Sequence, residues 1–351
     1  MGPSTKCIVV NATALDRSGA LGILRQFLAN IPTGHDWLIF VSDQISVHSP
    51  LSSVRIVPIP GVKPMYKRFL WDAFGLNRWL KKHHIKPSAI VSLQNTGFRV
   101  SQKVPRYIYY HQPLPFYSYV WNPLKKKERT LCFYKYLYPF FVKLFLTKDT
   151  TVFVQLDFIK DGFVRIFRHP ERNVHVYSPS IVRPELSNSR IDVASDRTIL
   201  FYPAANVFYK NHEVLKEALR YPCGNVQLYF TLDNLEGSED DRITYTGVLP
   251  YTDVCAMYRS CDALVFPSYI ETFGLPLIEA AMAGLPILAA DLPYAREVLD
   301  GYEGVVFIPY DDPKAWAKAI AGIEKGKRYP PFDISGRPGW KALFSDIINT
   351  I

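Results

Sequence analysis

Short apolar runs alternate with longer amphipathic stretches along almost the whole chain. Apolar runs bounded by turn residues predict buried strands, and the amphipathic stretches between them predict helices that cover a parallel sheet. In the first half the runs lie near residues 7–11, 37–42, 54–59, 89–92, 106–111, 150–154 and 174–177. In the second half they begin at Thr198 and recur at Gln227, Ile243, Ala263, Ile287 and Val305. The pattern therefore predicts two α/β domains, each with a doubly wound sheet.

A polar segment without periodicity separates the two sets of strands. It covers residues 182–197 and predicts a linker between a first domain, residues 1–181, and a second domain, residues 198–337. The length of 351 residues and the hydrophobic content of 48% suffice for two buried cores. After a break at residues 329–331, residues 339–349 predict a last helix whose apolar side holds Trp340, Leu343, Phe344 and Ile347.

The segment 267–286, PSYIETFGLPLIEAAMAGLP, predicts a turn and a helix directly after a buried strand at 263–266. Thr272 is a residue type that caps helices, and Pro276 suits a first turn. Gly274 lets a ligand approach the backbone closely. The backbone N–H groups of Phe273, Gly274 and Leu275 are expected to point out of the carboxyl end of the sheet, where they attract anions such as phosphate.

Two carboxylates, Glu271 in the turn and Glu279 in the helix, lie on either side of that expected anion site. Carboxylates accept hydrogen bonds and sugar or ribose hydroxyls donate them, so the arrangement suits a nucleoside-diphosphate sugar. The alternative is structural: Glu271 as an acid favoured by the helix dipole, and Glu279 as a solvated helix residue.

The pattern E-x-F-G-L-P-x-x-E-A, followed by A-x-G-x-P, resembles the signature of the retaining family 4 glycosyltransferases. The resemblance extends along most of the chain and is strongest in the second half. It implies the glycosyltransferase-B fold, in which two Rossmann-like domains face each other across a cleft. It also implies that the last helix, within residues 338–351, packs back on the first domain.

The same resemblance implies further donor-binding residues in the second half. Lys210, after the strand in FYPAANVFYKNH, would neutralise the donor diphosphate; the alternative is a surface lysine near a helix start. The family usually has an arginine five residues earlier, where this chain has Ala205, which leaves Asn206 as a neutral donor. In ITYTGV, Gly247 and Val248 would lie near the nucleobase.

Two features of the first half also match the family. The glycine-bearing loop 16–22, with Gly19 as its candidate contact, would face the donor before an amphipathic helix begins. Arg17 and Ser18 in that loop are either loop structure or ligand contacts. His111, at the end of an apolar strand, would lie close to the donor sugar; the alternative is a buried histidine with satisfied hydrogen bonds.

The implied reaction cleaves the bond at the anomeric carbon of the donor sugar, with Lys210 and the helix N–H groups stabilising the diphosphate. Glu271 would hold the sugar hydroxyls, Glu279 the ribose and His111 the distal oxygen of the sugar. A double displacement requires a carboxylate on the far face of the sugar, and no residue identifies itself as one. The resemblance therefore favours attack and departure on the same face.

Cysteine spacing and hydropathy restrict the class of protein further. The five cysteines form no C-x-x-C pair and no metal-ligand spacing, which indicates a reducing, cytoplasmic compartment. No segment reaches the roughly 18–20 apolar residues of a membrane span. Asp240 and Asp241 follow the polar run 236–239 and are interpreted as an exposed loop, so we expect neither a metal nor a cofactor apart from the nucleotide sugar as co-substrate.

Positive charge is concentrated in the first half. Residues 1–180 contain 25 Lys and Arg against 9 Asp and Glu, whereas the whole chain has a net charge of +9. The densest cluster is Lys125, Lys126, Lys127 and Arg129, directly before an aromatic run at 133–145, and it is extended by Lys67, Arg68, Trp71, Lys81 and Lys82. Basic residues beside aromatic ones suit an anionic membrane surface. The alternatives are nucleic acid, for which no binding motif is found, and a solvated face.

Together these features predict a retaining, metal-independent glycosyltransferase on the inner face of the plasma membrane. Its expected partners are a nucleotide-sugar donor, a lipid-linked glycan acceptor and an anionic membrane surface, with no nucleic acid. The alternatives are a sugar epimerase or phosphorylase of the same fold, and a non-catalytic nucleotide-sugar-binding or membrane scaffold subunit. The absence of the usual arginine at Ala205 is the main argument for the non-catalytic alternative.

Overall fold

A computed structural model describes residues 7–351 except 17, 63, 182–192, 194, 195 and 234–239. The chain divides into two compact units: Met1–Ser180 together with Arg337–Ile351, and Ile181–Gly336. The predicted linker, residues 182–197, lies almost entirely outside the described residues, as does the predicted polar loop at 236–239.

The first unit is built on a seven-stranded parallel sheet. Its strands are β1 (Cys7–Ala12), β2 (Asp36–Ser42), β3 (Val54–Ile59), β4 (Ala89–Ser92), β5 (Arg106–Tyr109), β6 (Thr151–Val154) and β7 (Val174–Val176). Their order is β3-β2-β1-β4-β5-β6-β7, so the direction of winding reverses between β1 and β4. The central strands are continuous apolar runs because helices cover both faces of a parallel sheet.

The first six helices of the first unit are α1 (Ser18–Asn30), α2 (Met65–Leu70), α3 (Leu76–Lys82), α4 (Arg129–Cys132), α5 (Tyr138–Phe145) and α6 (Asp157–Phe167). A π turn at Trp71–Gly75 joins α2 to α3, and another at Phe133–Leu137 joins α4 to α5. Short 3-10 turns lie at Leu114–Phe116 and Glu171–Asn173.

The last helix of the chain, α12 (Trp340–Ile348), belongs to the core of the first unit. Its four predicted apolar residues are all buried there. Phe27 of α1 packs edge-on against Trp340, with ring centroids 5.8 Å apart, and Trp37 of β2 lies 5.4 Å from Phe344. An apolar stripe at helical spacing accounts for this docking, since it can be buried only against another element.

The second unit contains a six-stranded parallel sheet. Its strands are β8 (Thr198–Tyr202), β9 (Val226–Phe230), β10 (Ile243–Tyr245), β11 (Ala263–Phe266), β12 (Ile287–Ala290) and β13 (Val305–Ile308), in the order β10-β9-β8-β11-β12-β13. Its helices are α7 (His212–Ala218), α8 (Tyr251–Ser260), α9 (Leu275–Met282), α10 (Pro293–Val298) and α11 (Pro313–Ala321), and a 3-10 turn lies at Phe208–Lys210. The winding reverses between β8 and β11. The predicted fold class, two doubly wound Rossmann-like domains, is confirmed.

Two local predictions are wrong. The segment 16–22 is not a loop before a helix, because α1 already begins at Ser18 and includes Gly19 and Gly22. Thr272 does not cap α9, because Gly274 is the N-cap residue and no side chain caps it. The strand and glycine turn that the resemblance implies for ITYTGV are, in contrast, present: β10 ends at Tyr245, and Gly247 takes a positive φ of 69° and turns the chain.

Candidate active site

Lys210 and Glu271, predicted separately, form an ion pair at the carboxyl edge of the second sheet. Lys210 ends the 3-10 turn that follows β8, and Glu271 lies in the loop that follows β11. These two strands are neighbours at the point where the winding reverses, which is where open α/β sheets bind ligands. Both side chains are mostly buried, with exposed fractions of 19% for Lys210 and 14% for Glu271.

Hydrogen bonds between loops hold this pair in place. Tyr202 of β8 donates its hydroxyl to the carbonyl of Lys210 at 2.6 Å, which ties the turn to the sheet. Asn211 adopts a left-handed conformation, with φ of 60°, and donates its side-chain amide to the carbonyls of Pro267 and Tyr310 at 3.3 and 2.7 Å. The two loops that supply Lys210 and Glu271 are therefore joined to each other independently of the ion pair.

The N-terminus of α9 lies directly after this loop. Gly274, its N-cap, has a φ of 82°, and a Cβ at this position would lie 3.2 Å from Leu277 Cδ1 and 3.3 Å from Tyr294 Cε2. Both the conformation and the crowding require glycine here. Phe273 is buried and Pro276 occupies the first turn. A helix start without a side-chain cap leaves its first N–H groups to water or to an anionic ligand.

Glu279, on the first turns of α9, is held by two tyrosines of α8. Tyr251 donates its hydroxyl to Oε1 at 3.1 Å and Tyr258 donates to Oε2 at 2.9 Å. Burial raises the pKa of Glu279, against these two hydrogen bonds, which favour the carboxylate. The interpretation of Glu279 as a solvated helix acid is therefore wrong. Its remaining lone pairs can accept bonds from a diol.

The sequence interpretation missed these two tyrosines. They are seven residues apart, which places them on one face of α8, and this spacing was the available signal. Sequence spacing cannot identify their common partner, because Glu279 follows Tyr258 by 21 residues with β11 between them.

The other predicted donor contacts of the second unit are more exposed. Val248 is 87% exposed beyond the turn at Gly247. A Cβ at Gly247 would lie 3.2 Å from Asp233 Oδ1. Ala205 and Asn206 are exposed in the bend after β8. These residues are accessible to a ligand. Their contacts with the donor stay predictions.

His111 lies in the first unit, just beyond β5, and is tied to the loop after β4. Its backbone N–H donates to Asn95 Oδ1 at 2.5 Å and its ring Nε2 lies 3.0 Å from the carbonyl of Leu93. A carbonyl only accepts, so Nε2 carries the proton. Burial lowers the pKa of His111, and the hydrogen bond to Leu93 opposes this shift in part. The lowered pKa favours a neutral ring at pH 7.

The remaining predicted residues of the first unit are at the surface. Gly19 is exposed in the first turn of α1, and a Cβ there would meet no atom within 4 Å. Arg17 lies outside the described residues, as does the side chain of Ser18. The basic cluster Lys125, Lys126, Lys127 and Arg129 is exposed, and Lys125 lies 3.4 Å from Glu128.

The two adjacent aspartates, Asp240 and Asp241, each form an ion pair with an arginine. Asp240 pairs with Arg242 at 2.8 Å, and Asp241 pairs with Arg197 at 2.9 Å. Within the described ranges, no three His, Cys, Asp or Glu side chains are grouped so as to hold a metal ion. The same ranges contain no helix that is both long and apolar enough to cross a bilayer.

Residues 187–330 match the family described as glycosyl transferases group 1. The chain is 26% identical to the O-antigen chain mannosyltransferase RfbU of Salmonella typhimurium over 203 residues, which cover 54% of this chain and 56% of RfbU. It is 37% identical over 75 residues to the serotype-specific mannosyltransferase WbdA of Escherichia coli, covering 21% of this chain and 9% of WbdA. The chain therefore spans about half or less of the length of these curated relatives.

A solved structure shares the architecture. WaaG, a glycosyltransferase involved in lipopolysaccharide biosynthesis, aligns with a TM-score of 0.64 and 14% identity over 89% of this chain and 90% of WaaG. With the two strand orders, this likeness defines the class: a protein of the glycosyltransferase-B fold with two Rossmann-like domains. The match to the glycosyl transferases group 1 covers residues 187–330, which is less than half of this chain. The resemblance to glycosyltransferases inferred from the sequence is confirmed.

Proposed function

We propose that this protein transfers a sugar, with retention and without a metal, from a nucleoside-diphosphate sugar to a lipid-linked saccharide. The observation that carries the proposal is the Lys210–Glu271 ion pair beside the N-terminus of α9, where the winding of the second sheet reverses. An ammonium group and helix N–H groups attract a diphosphate, and a carboxylate accepts hydrogen bonds from sugar hydroxyls. The site thus matches both halves of such a donor.

Departure of the nucleoside diphosphate leaves positive charge on the anomeric carbon and negative charge on the phosphate. Lys210 and the N–H groups of residues 273–275 stabilise that negative charge, which removes the need for a metal. Glu271 holds the sugar hydroxyls. The acceptor hydroxyl attacks from the face that the diphosphate leaves, and the departing phosphate takes its proton.

The ion pair gives both residues a defined position before the donor binds. Each member already has an opposite charge as a partner, which lowers the cost of keeping it mostly buried. When the donor enters, the diphosphate competes for Lys210 and the sugar hydroxyls compete for Glu271. Loss of either side chain would remove this ion pair from the other.

We propose further contacts for the rest of the donor. Glu279, fixed by Tyr251 and Tyr258, accepts hydrogen bonds from the ribose, and His111 contacts the distal oxygen of the sugar. Asn206 supplies a neutral hydrogen-bond donor in the absence of the usual arginine. The other proposed donor contacts are Gly19, Gly247, Val248, Thr272, Phe273, Gly274 and Leu275.

The relatives suggest the class of sugar and product. RfbU and WbdA are named as mannosyltransferases, and RfbU as acting on the O-antigen chain. We therefore propose a nucleoside-diphosphate mannose as the first donor to test. The acceptor is proposed to be a lipid-linked saccharide for O-antigen, lipopolysaccharide or capsule.

An exposed apolar surface on the first unit supports a membrane-bound acceptor. Two helical segments, α2 to α3 and α4 to α5, touch through Phe69, whose ring centroid lies 5.8 Å from that of Phe141. Together with the loop before α4, they expose ten large apolar side chains: Met65, Tyr66, Leu70, Phe74, Val120, Leu124, Tyr136, Leu137, Phe140 and Leu144. These ten residues are called the apolar surface below. Single exposed apolar residues are ordinary, but this many on adjoining segments indicate a surface for a partner.

Charge favours a membrane as that partner. Exposed lysines lie on the same segments: Lys67 on α2, Lys143 on α5, and Lys125, Lys126 and Lys127 before α4. Basic groups around exposed aromatic and aliphatic ones match an anionic bilayer, whose headgroups attract the charge while its acyl region accepts the apolar side chains. We propose peripheral attachment at the inner face of the plasma membrane.

The donor site is tested with a thermal-shift screen of UDP, GDP, CDP and dTDP and their sugars, including GDP-mannose. A ligand that binds only the folded state raises the melting temperature by mass action. Stabilisation by one base series, abolished in Glu279→Ala and retained in the surface control Lys327→Ala, supports the site. The absence of any shift would contradict it.

Product analysis then tests the reaction. Slow release of free sugar from the stabilising donor, unaffected by EDTA and with the anomeric configuration retained in the first product, supports a retaining, metal-independent transferase. Conversion of the sugar while it remains nucleotide-linked would indicate an epimerase instead. Donor binding without any turnover would indicate the non-catalytic subunit.

A further inference from the structure

A buried polar network lies at the carboxyl edge of the first sheet, where its winding reverses between β1 and β4. Asn11, the carboxylate of Asp72 and Gln94 form its centre, and all three are almost completely buried. Buried polar side chains are costly unless each finds partners, so a complete network of this kind holds specific positions. None of these residues follows from the motifs discussed above.

Asp72 reaches this position through the π turn between α2 and α3. The wide turn inserts one extra residue into the helix. Asp72, which lies in this turn, is buried, with an exposed fraction of 3%. Gly75 makes the turn feasible, because a Cβ there would lie 2.6 Å from Cε3 of Trp71. The backbone carbonyl of Asp72 also accepts a bond from the N–H of Arg99 at 2.9 Å. This bond ties the π turn to the loop that follows β4.

The carboxylate of Asp72 determines the orientation of two amide side chains. Asn11 Nδ2 donates to Oδ1 at 2.7 Å, and Gln94 Nε2 lies 2.9 Å from both Oδ1 and Oδ2. Because a carboxylate only accepts, both amides must present their nitrogen to it. Burial raises the pKa of Asp72 to about 7, while the bonds from Asn11 and Gln94 and the charge of Arg68 favour the ionised form.

The opposite ends of these amides are oriented as a consequence. Gln94 Oε1 accepts the backbone N–H of Ala14 at 3.1 Å and lies 3.1 Å from the hydroxyl of Thr13. Asn11 Oδ1 lies 3.1 Å from the same hydroxyl. The turn between β1 and α1 therefore depends on which way Gln94 and Asn11 face, and hence on Asp72.

Gln94 also belongs to the loop that holds His111. The hydroxyl of Tyr138 donates to the carbonyl of Gln94 at 3.1 Å, which fixes the loop from its other side. On either side of Gln94, Leu93 accepts the ring Nε2–H of His111 and Asn95 accepts its backbone N–H. Asn95 has a left-handed φ of 68°, a conformation kept only where the surroundings define it.

We propose that Asp72 is a positioning residue: by orienting Asn11 and Gln94 it holds the loop 92–96, and through that loop it sets the tautomer and placement of the His111 ring. The inference rests on the proposed function, in which His111 contacts the donor sugar. Asp72 itself touches no substrate. Its effect on His111 exists whether or not the donor is the proposed one.

The test exchanges the carboxylate and the amide. In Asp72→Asn, the new amide must place a nitrogen 2.9 Å from Gln94 Nε2, so two donors face each other. The double variant Asp72→Asn with Gln94→Glu, called the exchanged pair below, restores a donor opposite an acceptor. The second oxygen of the introduced carboxylate can still accept the N–H of Ala14. Asn77→Ala is the matched control, since Asn77 on α3 accepts the N–H of Ser101 at 2.9 Å, away from His111.

The first readout is the ring of His111 in long-range ¹H–¹⁵N NMR spectra, which distinguish the two neutral tautomers. We expect the Nε2–H form in the wild type, a shifted or mixed signal in Asp72→Asn, and the wild-type signal in the exchanged pair and in Asn77→Ala. An unchanged His111 signal in Asp72→Asn would overturn the proposal. So would an exchanged pair that folds, by thermal melting, and does not recover the signal.

The second readout is turnover with whichever donor is active. Asp72→Asn should lower kcat by roughly 10-fold or more with the donor KM little changed, because misplacement of a positioned group acts on the transition state. The exchanged pair should recover to within about 3-fold. A wild-type kcat in Asp72→Asn, or a loss confined to KM, would overturn the proposal. If no donor is turned over, the proposed function fails while the NMR readout still decides the role of Asp72.

Discussion

The two units use the carboxyl edges of their sheets differently. In the second unit, Lys210 and Glu271 are partly exposed at this edge, and both lie within the family match to residues 187–330. In the first unit, the polar groups at the corresponding edge are buried and satisfied by one another, and the prominent exposed feature is the apolar surface. The second unit carries the residues proposed to act on a nucleotide sugar, whereas the first carries a buried polar network and the surface proposed to bind a membrane.

This difference explains why one unit is easier to interpret from sequence than the other. Residues that hold a diphosphate and a sugar must keep specific types at specific spacings, so the segment 271–286 is informative alone. A support network such as that of Asp72 needs only complementary donors and acceptors, which many residue combinations supply. The comparison predicts that changes in the second unit alter chemistry and that changes in the first alter attachment and positioning.

The largest effect is expected from breaking the ion pair. Lys210→Ala and Glu271→Ala should each lower kcat by about 10²-fold or more, on the scale of removing one transition-state donor. Steady-state kinetics with the stabilising donor measures this effect. Lys327→Ala, which removes an exposed ion pair with Glu324 in the same unit, should retain wild-type turnover. Near-wild-type turnover in either site variant would remove that residue from the mechanism.

The next effect concerns attachment of the first unit. Replacing Lys125, Lys126 and Lys127 together by alanine should weaken binding to anionic vesicles by up to about 10²-fold, at roughly 1 kcal/mol for each charge. Co-sedimentation with vesicles containing anionic lipid measures the affinity, with neutral vesicles as the control. Transfer to a soluble acceptor should be unchanged. Equal binding of wild type and triple variant to anionic vesicles would contradict the membrane proposal.

A pH effect of intermediate size is expected from His212 in the second unit. Burial lowers the pKa of His212 to about 4, so the unfolded chain binds a proton more readily between pH 4 and 6.5. The free energy of unfolding therefore rises with pH across this window. Relative to wild type, His212→Phe should be more stable at pH 5 than at pH 8 by about 2 kcal/mol.

Denaturant titrations at the two pH values measure this difference. Phe is suited to the site because the ring of His212 packs between Tyr202 and Phe230, with centroid distances of 4.8 and 5.1 Å. A pH-independent effect of His212→Phe would mean that burial of this ring does not govern the acid stability of the unit.

The smallest effect is expected at the second carboxylate. Tyr258→Phe removes one of the two bonds to Glu279 and should raise the donor KM by up to about 10-fold, since one hydrogen bond to a charged group contributes about 1.5 kcal/mol. The kcat should change little because the ribose is remote from the reacting bond. A loss of kcat with an unchanged KM would place Glu279 in the chemistry and not in donor binding.

Local sequence determined most of the strands and several features of the site. Apolar runs between turn residues define strands because parallel strands must be buried on both faces, and residues 263–266 are such a run. The F-G-L-P motif located the start of α9, with a glycine where a positive φ is required. The apolar side of α12 followed from its helical spacing. Each of these depends on neighbours a few residues apart.

The partners of the polar side chains were decided only by the tertiary structure. Lys210 meets Glu271 across 61 residues, and Asn11 meets Asp72 across 61, because strand order brings their loops to the same edge of a sheet. The same holds for Tyr251 and Tyr258 with Glu279. Periodicity determines which way a side chain faces along its own helix or strand. Which distant group it then contacts depends on the order of the strands and on where the winding reverses, and no local pattern specifies either.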